Sequence, residues 1–519
     1  MLELEKIFSD RMVLQRRSPV RIWGKCGEAC TVEVSLGDMC CAASVSGGKF
    51  CVQLPAMEAS DGLTLKISAA DPAGQTEIFE IRDVAVGEVW IAAGQSNMEY
   101  PVRNTVECEM LKKTGKDSGL RFFDVPKISY EGQEKDRSYD DVGFWDSFRP
   151  DSIDNFSAVA LMFALRIRRE LEVPVGIIGC NWGATSASSW IPREYLEEYE
   201  ELKVYLEDYE EAVRGLDLEW YRQTYLEKQT WGLTPRVAEL NDQISRGELD
   251  TEEMLKMFSE LTKRQREYLM LQTGPMDQRR PCALYGTMVK RIMGYTSKGV
   301  LWYQGEADEV HPDSYALLFS QLVKCWRKGW GQALPFLTVQ LAPFGEWLGN
   351  TGKEFPRIRS QQHLAAKLID GVWLASIMDA GMERDIHPKT KRAAAERLAL
   401  LALGKVYGKS VLCDAPEAVG VRWEKERITV YFSHAGDGLY CTGEGNPAGI
   451  VLLTDGKETD FQAEIRDCRL IIHTSDLNVY RHVQLDYARL PYVEADIYNS
   501  AGLCAKPFSE IRPWDWRKA

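Results

Sequence analysis

Short runs of alternating apolar and polar residues fill the first 84 positions. Val20-Arg21-Ile22-Trp23-Gly24 and Thr31-Val32-Glu33-Val34-Ser35-Leu36 are examples, separated by Gly-Asp, Gly-Gly and Asp-Gly turn pairs. This pattern predicts a small β-sandwich over residues 1–84. From residue 85 the rhythm changes. Val86 to Ala93 is a continuous apolar run, as expected of a strand buried on both faces. Leu120 to Val125, Val173 to Gly179, Gly299 to Tyr303, Phe336 to Leu341 and Val372 to Met378 are further strand candidates. Between them, Phe156 to Leu171 places Phe156, Val159, Ala160, Phe163, Ala164, Ile167 and Leu171 on one helical stripe. Helices are also predicted over about Arg357–Ile369 and Lys389–Val406. Strands alternating with helices predict an α/β domain on a parallel sheet over residues 85–408.

Two stretches depart from that rhythm. Residues 193–280 contain no strand pattern, and Glu194–Val213 and Thr251–Leu271 are Glu-, Leu- and Tyr-rich helix candidates. They predict a helical insertion at a sheet-end loop, a place that tolerates insertions and can shape a cleft. Their acidic residues fit solvated helix faces. Beyond the last helix, Arg427-Ile428-Thr429-Val430-Tyr431-Phe432, Gly449–Leu453 and Leu470-Ile471-Ile472-His473 restore the strand pattern. A C-terminal β-rich domain over residues 409–519 is expected.

At 519 residues and 45% hydrophobic, the chain is long enough for two or three cores. Its formal net charge of −14 argues against nucleic acid or an anionic membrane as partner, since both require clustered Lys and Arg. No apolar run approaches a membrane span. The 13 cysteines are scattered, without a Cys-x-x-Cys pair, which suits a reducing compartment better than a disulfide framework or a zinc site. Met1-Leu2-Glu3-Leu4-Glu5-Lys6 lacks the basic and apolar regions of a leader, so the expectation is a cytoplasmic protein. No cofactor or metal is expected.

Candidate chemistry gathers at the carboxyl ends of the predicted strands, where ligand sites of open α/β sheets form. The first strand ends in Gly94-Gln95-Ser96-Asn97-Met98-Glu99. A serine there is either a turn residue or a nucleophile. Of six histidines, His434, His473 and His482 fall in the C-terminal β-region, His363 inside a helix and His311 in a loop before Pro312. His387 follows the last strand of the sheet within Glu383-Arg384-Asp385-Ile386-His387-Pro388. A histidine at a helix start is ordinarily satisfied by local backbone, but here it completes a set. Serine attack on an acyl carbon needs a base, a carboxylate that fixes the imidazole tautomer, and donors for the oxyanion. Ser96, His387 and Asp385 supply the nucleophile, the base and the carboxylate. Gly183 allows a close backbone N–H, and Gln304, in Trp302-Tyr303-Gln304-Gly305-Glu306-Ala307-Asp308, offers a side-chain amide. No Gly-x-Ser-x-Gly elbow is present.

These blocks resemble those of the SGNH hydrolases and, more narrowly, of the sialate O-acetylesterase group. The resemblance spans about residues 85–408. It implies a flavodoxin-like three-layer α/β/α domain flanked by β-domains, with Ser96 as nucleophile and His387 as base. The implied oxyanion hole is formed by the Ser96 and Gly183 N–H groups. Two features depart from the broad superfamily. Gln304 stands where an asparagine is usual, and Arg384 occupies the usual carboxylate position three residues before the histidine. Asp385 matches the narrower group, with Glu383 or a Ser96–His387 dyad as alternatives. The expected activity is removal of O-acetyl groups from a carbohydrate, foremost a sialic acid. Xylan or mannan oligosaccharides are alternative substrates, and a non-catalytic carbohydrate-binding protein is the rival of another class.

Overall fold

The computed structural model describes residues 2–27, 31–70, 76–136, 138–249, 251–347 and 349–513. The chain divides into two units, residues 1–307 with 317–336, and residues 308–316 with 337–519.

The first unit is organised on one long strand. Strand β1 (Ser60–Ala70) runs antiparallel to the first part of β2 (Thr76–Gly94). The early residues of β2 are largely exposed, whereas every residue from Val84 to Gly94 is buried. An alternating strand therefore becomes a doubly covered one without leaving the sheet. Asp83, with φ +54°, marks the change, where the pairing with β1 loses register and the strand bulges. The residue-84 boundary expected from the change of pattern thus lies inside a continuous strand. Nearer the N-terminus, Glu3–Leu4, Val20–Lys25 and Lys49–Leu54 form a three-stranded sheet, while Thr31–Leu36 pairs with both Met39–Ser44 and β1.

The buried half of β2 is the centre of the α/β layer. Strands β3 (Asp117–Asp124), β4 (Trp145–Phe148), β5 (Val175–Asn181) and β6 (Gly299–Tyr303) join it in the order β4-β3-β5-β2-β6. The pairs β3–β5, β5–β2 and β2–β6 are parallel, and β4 is an antiparallel edge. Helix α1 (Ala158–Leu171) buries Val159, Ala160, Phe163, Ala164 and Ile167 of the predicted stripe, Phe156 preceding the helix and Leu171 staying partly exposed, and the Ser157 hydroxyl caps it by accepting the Ala160 N–H. Residues 193–280 are helical without a strand among those described. Arg193–Glu197 and Glu200–Ala212 lead into α2 (Leu218–Gly232), α3 (Pro235–Arg246), α4 (Thr251–Glu260) and α5 (Lys263–Leu269).

In the second unit β7 (Phe336–Val339) neighbours β8 (Val372–Ala375), with α6 (Phe355–Leu368) between them in sequence and α7 (Arg392–Leu401) after them. The buried Arg359 guanidinium donates to the carbonyls of Leu341, Ala342, Leu490 and Pro491, tying α6 to two loops. Two four-stranded antiparallel sheets then share one core, in which Ile428, Val430, Leu470 and Ile472 meet Leu452, Val483 and Leu485. The chain is a mixed α/β fold with a large mixed sheet and additional C-terminal β-sheets.

Candidate active site

The serine turn is fixed by what lies beside it in the sheet. Gly94 has φ +134°, and a Cβ there would stand 2.1 Å from the Tyr303 carbonyl oxygen, so only glycine lets β2 turn against β6. The Gln95 N–H donates to that same Tyr303 carbonyl at 3.1 Å. Ser96–Glu99 then forms a single helical turn, with Met98 and Glu99 N–H groups donating to the Gln95 carbonyl. The Ser157 hydroxyl fastens the turn by donating to the Met98 carbonyl at 2.6 Å. Asn97 and Met98 are buried, whereas Ser96 is partly exposed.

Gly183 reaches this turn from the end of β5. The Trp182 N–H donates to the Gly94 carbonyl at 3.1 Å, so the two strand ends are tied. A Cβ placed on Gly183 would lie 3.3 Å from the Ser96 Cβ and 3.3 Å from Glu99 Oε2, tighter than side chains normally pack. The Gly183 N–H donates to Glu99 Oε2 at 2.5 Å, and the other Glu99 oxygen meets the Lys127 ammonium.

Gln304 lies one step behind. Its Nε2 donates to Gln95 Oε1 and to the Thr185 carbonyl, each at 3.2 Å, which uses both amide hydrogens. Gln95 Oε1 also accepts the N–H groups of Gly305 and Ala307 at 3.4 and 3.1 Å. Asn97 Nδ2 donates to Glu306 Oε1 at 2.6 Å. Gln304 therefore joins the β6 end to both the serine turn and the Gly183 loop. Gln95, Asn97, Glu99 and Glu306 are participants that sequence reasoning did not assign. Their signal was the density of polar residues immediately after two fully apolar strands.

In the second unit, the loop after β8 holds Asp385 and His387. Its base is fixed by Arg397 of α7, which donates at 2.6 Å to both Asp379 oxygens and to the Ser376 carbonyl. Asp385 Oδ1 accepts the His387 backbone N–H at 2.7 Å and lies 3.7 Å from His387 Nδ1, beyond hydrogen-bond length. Its Oδ2 meets the Lys389 ammonium at 2.6 Å. Asp385 and Lys389 expose 8% and 13% of their side chains, so this ion pair is held largely out of water. Sequence reasoning missed Lys389, although its place four residues after Asp385 was a usable sign. The Trp347 ring, in the hairpin Glu346–Trp347/Asn350–Thr351, meets the imidazole edge-on at 5.5 Å. Glu383 acts through its backbone, whose carbonyl accepts the N–H groups of Gly345 and Glu346 and holds that hairpin.

Burial, followed by the positive charges of Lys391 and Lys389, pushes the His387 imidazole down to about 3. The ring is therefore neutral at pH 7, the state a general base requires. Among the described residues no group of three or more His, Cys, Asp or Glu side chains could hold a metal ion. No helix among them is long and apolar enough to cross a membrane.

Comparison with known proteins bears on these motifs. Residues 274–405 match the family described as carbohydrate esterase, sialic acid-specific acetylesterase. That stretch contains Gln304, Asp385 and His387, whereas Ser96 and Gly183 precede it. Mouse sialate O-acetylesterase is 26% identical over 442 residues, covering 77% of this chain and 73% of the relative. The human sialate O-acetylesterase is 23% identical over 358 residues, covering 64% and 56%. Among solved structures, a carbohydrate acetylesterase from Xanthomonas citri superposes with a TM-score of 0.73 at 24% identity, covering 99% of this chain and 100% of that one. That likeness shows a shared fold. The resemblance to the sialate O-acetylesterases stated from the motifs is borne out, and the chain is an esterase.

Proposed function

We propose that the chain is a serine esterase of the SGNH type that removes O-acetyl groups from carbohydrates, with an acetylated sialic acid as the leading substrate. On this reading the central domain is a flavodoxin-like three-layer α/β/α fold. Ser96 Oγ attacks the acetyl carbonyl while His387 takes the hydroxyl proton, and Asp385 stabilises the imidazolium that forms. The N–H groups of Ser96 and Gly183 receive the oxyanion. Collapse of the tetrahedral adduct gives an acetyl-Ser96 ester and releases the sugar hydroxyl, which takes its proton from His387. Water, deprotonated by the same imidazole, then attacks the ester and frees acetate.

The observation that carries this reading is the approach of Gly183 to Ser96, close enough that a Cβ would stand 3.3 Å from the serine Cβ. A serine serving only as a turn residue has no need of a second loop's glycine packed against it. Two refinements follow from the geometry. Gln304, with both amide hydrogens bonded, serves by holding Gln95 and the Thr185 carbonyl in place. The Gly183 N–H is taken by Glu99, so the substrate carbonyl must displace that carboxylate to use it. The protein is proposed to work in the cytoplasm without a metal, a cofactor or a nucleic-acid partner.

The test is acetate release from 9-O-acetyl-N-acetylneuraminic acid and from acetylated xylo- and manno-oligosaccharides by the full chain and its Ser96→Ala variant. The wild type should release acetate and be labelled on Ser96 by a serine-directed phosphonate, and the variant should do neither. Retained activity in Ser96→Ala would remove this residue from the mechanism.

A further inference from the structure

The helical insertion encloses a cavity of about 510 Å³, within the range of small-molecule sites. Trp182 and Ala184, the residues on either side of Gly183, contribute to its wall. The remainder comes from α2, α3, α4, α5, Leu261 between the last two, and the 277–279 loop. The insertion is also fastened beside the serine turn. Arg103 donates to both oxygens of Asp242 in α3 at 3.0 and 3.1 Å, and the Tyr100 hydroxyl donates to the Ser245 carbonyl. The cavity therefore adjoins the segments that carry Ser96 and Gly183.

Its lining is unusual for a packing defect. Helix α3 has no buried residue, yet Val237, Leu240 and Ile244 form an apolar stripe on it. That stripe faces the cavity instead of a core. Trp182, Trp231 and Tyr225 add aromatic surface of the kind that packs against the C–H faces of a sugar ring. Among these groups sits Lys228 of α2, half-buried, whose ammonium has no hydrogen bond or ion pair with any described residue. Its neighbour Arg279 is already committed, donating to both Asp277 oxygens at 2.7 and 2.8 Å. Lys228 thus supplies a positive charge with no ion-pair partner of its own, offset only through space by the Asp277 carboxylate that Arg279 holds, to a chamber whose lining also includes Gln229, Asn241 and Gln278.

We propose that this cavity receives the sugar of a substrate bearing a carboxylate, and that the Lys228 ammonium reads that carboxylate. The proposal rests on the esterase reading above and deepens it. It selects acidic sugars over neutral xylan and mannan units and gives the helical insertion the task of selection. Burial and the Arg279 charge lower the Lys228 pKa, against the opposing charge of Asp277, and a substrate carboxylate would offset both. A charge-assisted hydrogen bond in such a site corresponds to about 10- to 100-fold in affinity.

The test separates binding from turnover. Calorimetry on the Ser96→Ala protein compares free N-acetylneuraminic acid with its methyl ester, and glucuronic acid with its methyl ester. The acid should bind about 10- to 100-fold more tightly than its ester. Adding Lys228→Met should erase that preference, while Lys228→Arg should keep it. The wild-type enzyme should show the same preference in kcat/KM between 9-O-acetyl-N-acetylneuraminic acid and its methyl ester, carried by KM. A preference confined to one of the two acids identifies the sugar acid that the cavity takes. Equal binding of acid and ester, or a preference that survives Lys228→Met, overturns the proposal. Because the calorimetric arm needs no hydrolysis, it decides the role of Lys228 even where acetate release fails, an outcome that would instead overturn the esterase reading.

Discussion

Replacing Lys389 by methionine should raise the pH at which the enzyme loses activity in acid. His387 lies 3.7 Å from an Asp385 oxygen, yet its imidazole sits at about 3, far below the ordinary 6.5. At that distance and an effective dielectric constant of about 20, an isolated carboxylate would favour the imidazolium by about 4 kcal/mol, roughly three pKa units. The field is not isolated. The Lys389 ammonium lies 2.6 Å from the other Asp385 oxygen and cancels most of it. Burial, the larger cause of the depression, remains in the variant, as does the charge of Lys391. Recovery is therefore partial, about one to two units. The sign follows from which form works. Neutral imidazole is the base, so kcat/KM holds at its plateau above the pKa and falls as pH drops through it. The wild-type acid limb should centre near pH 3, and that of Lys389→Met about one to two units higher. The assay is kcat/KM for 4-nitrophenyl acetate against pH, with circular dichroism at each point to exclude unfolding. A limb that stays in place or moves lower would refute the argument that Lys389 masks Asp385.

Two further predictions rest on the same loops. Asp385→Asn should lower kcat by about a thousandfold or more with little change in KM, because the imidazolium then forms without a carboxylate, whereas Glu383→Gln should stay within a few-fold. Steady-state kinetics on both variants checks this, and the reverse order would make Glu383 the orienting group. Gly183→Ala brings a Cβ to 3.3 Å from both the Ser96 Cβ and Glu99 Oε2, so the loop must retreat. Loss of one well-placed oxyanion donor predicts a fall of about a hundred- to a thousandfold in kcat with an unchanged melting temperature. A fall in melting temperature with kcat preserved would count against that role.

The sequence revealed most where one local pattern decides the outcome. Gly299–Tyr303 is a strand with the boundaries its apolar run suggests, and α1 follows its stripe to within two residues of the expected start. It revealed less where tertiary pairing overrides pattern. The change from alternating to continuous apolar residues near Val84 looks like a boundary between domains. Backbone pairing instead carries β2 through it, exchanging β1 on one side for β5 and β6 further along. Helices α2 and α3 were also not singled out. Val237, Leu240 and Ile244 line a cavity, so the stripe that would mark α3 is short and unsupported by a buried core. Lys389 escaped because its effect on His387 runs through Asp385, and spacing alone does not say which oxygen an ion pair takes.

Direction of side chains was the deepest loss at the serine turn, yet the parallel register could have recovered it. Strand β2 pairs with β6 so that Gly94 lies opposite Tyr303. If that offset continues past both strand ends, Gln95 falls opposite Gln304, and Asn97 opposite Glu306. Those are the two side-chain pairs observed, each 209 positions apart in the chain. The polar residues after the two apolar runs thus extend the ladder by side-chain amides and a carboxylate once backbone pairing ends. Ser96, between Gln95 and Asn97, is left out of these pairs and remains partly exposed. Gln304 points into this lattice because Gln95 Oε1, which also receives the Gly305 and Ala307 N–H groups, is the acceptor its register puts in reach. A strand-end amide considered alone resembles an oxyanion donor. Considered with its register partner, it becomes a strut that fixes the angle at which the serine leaves the sheet.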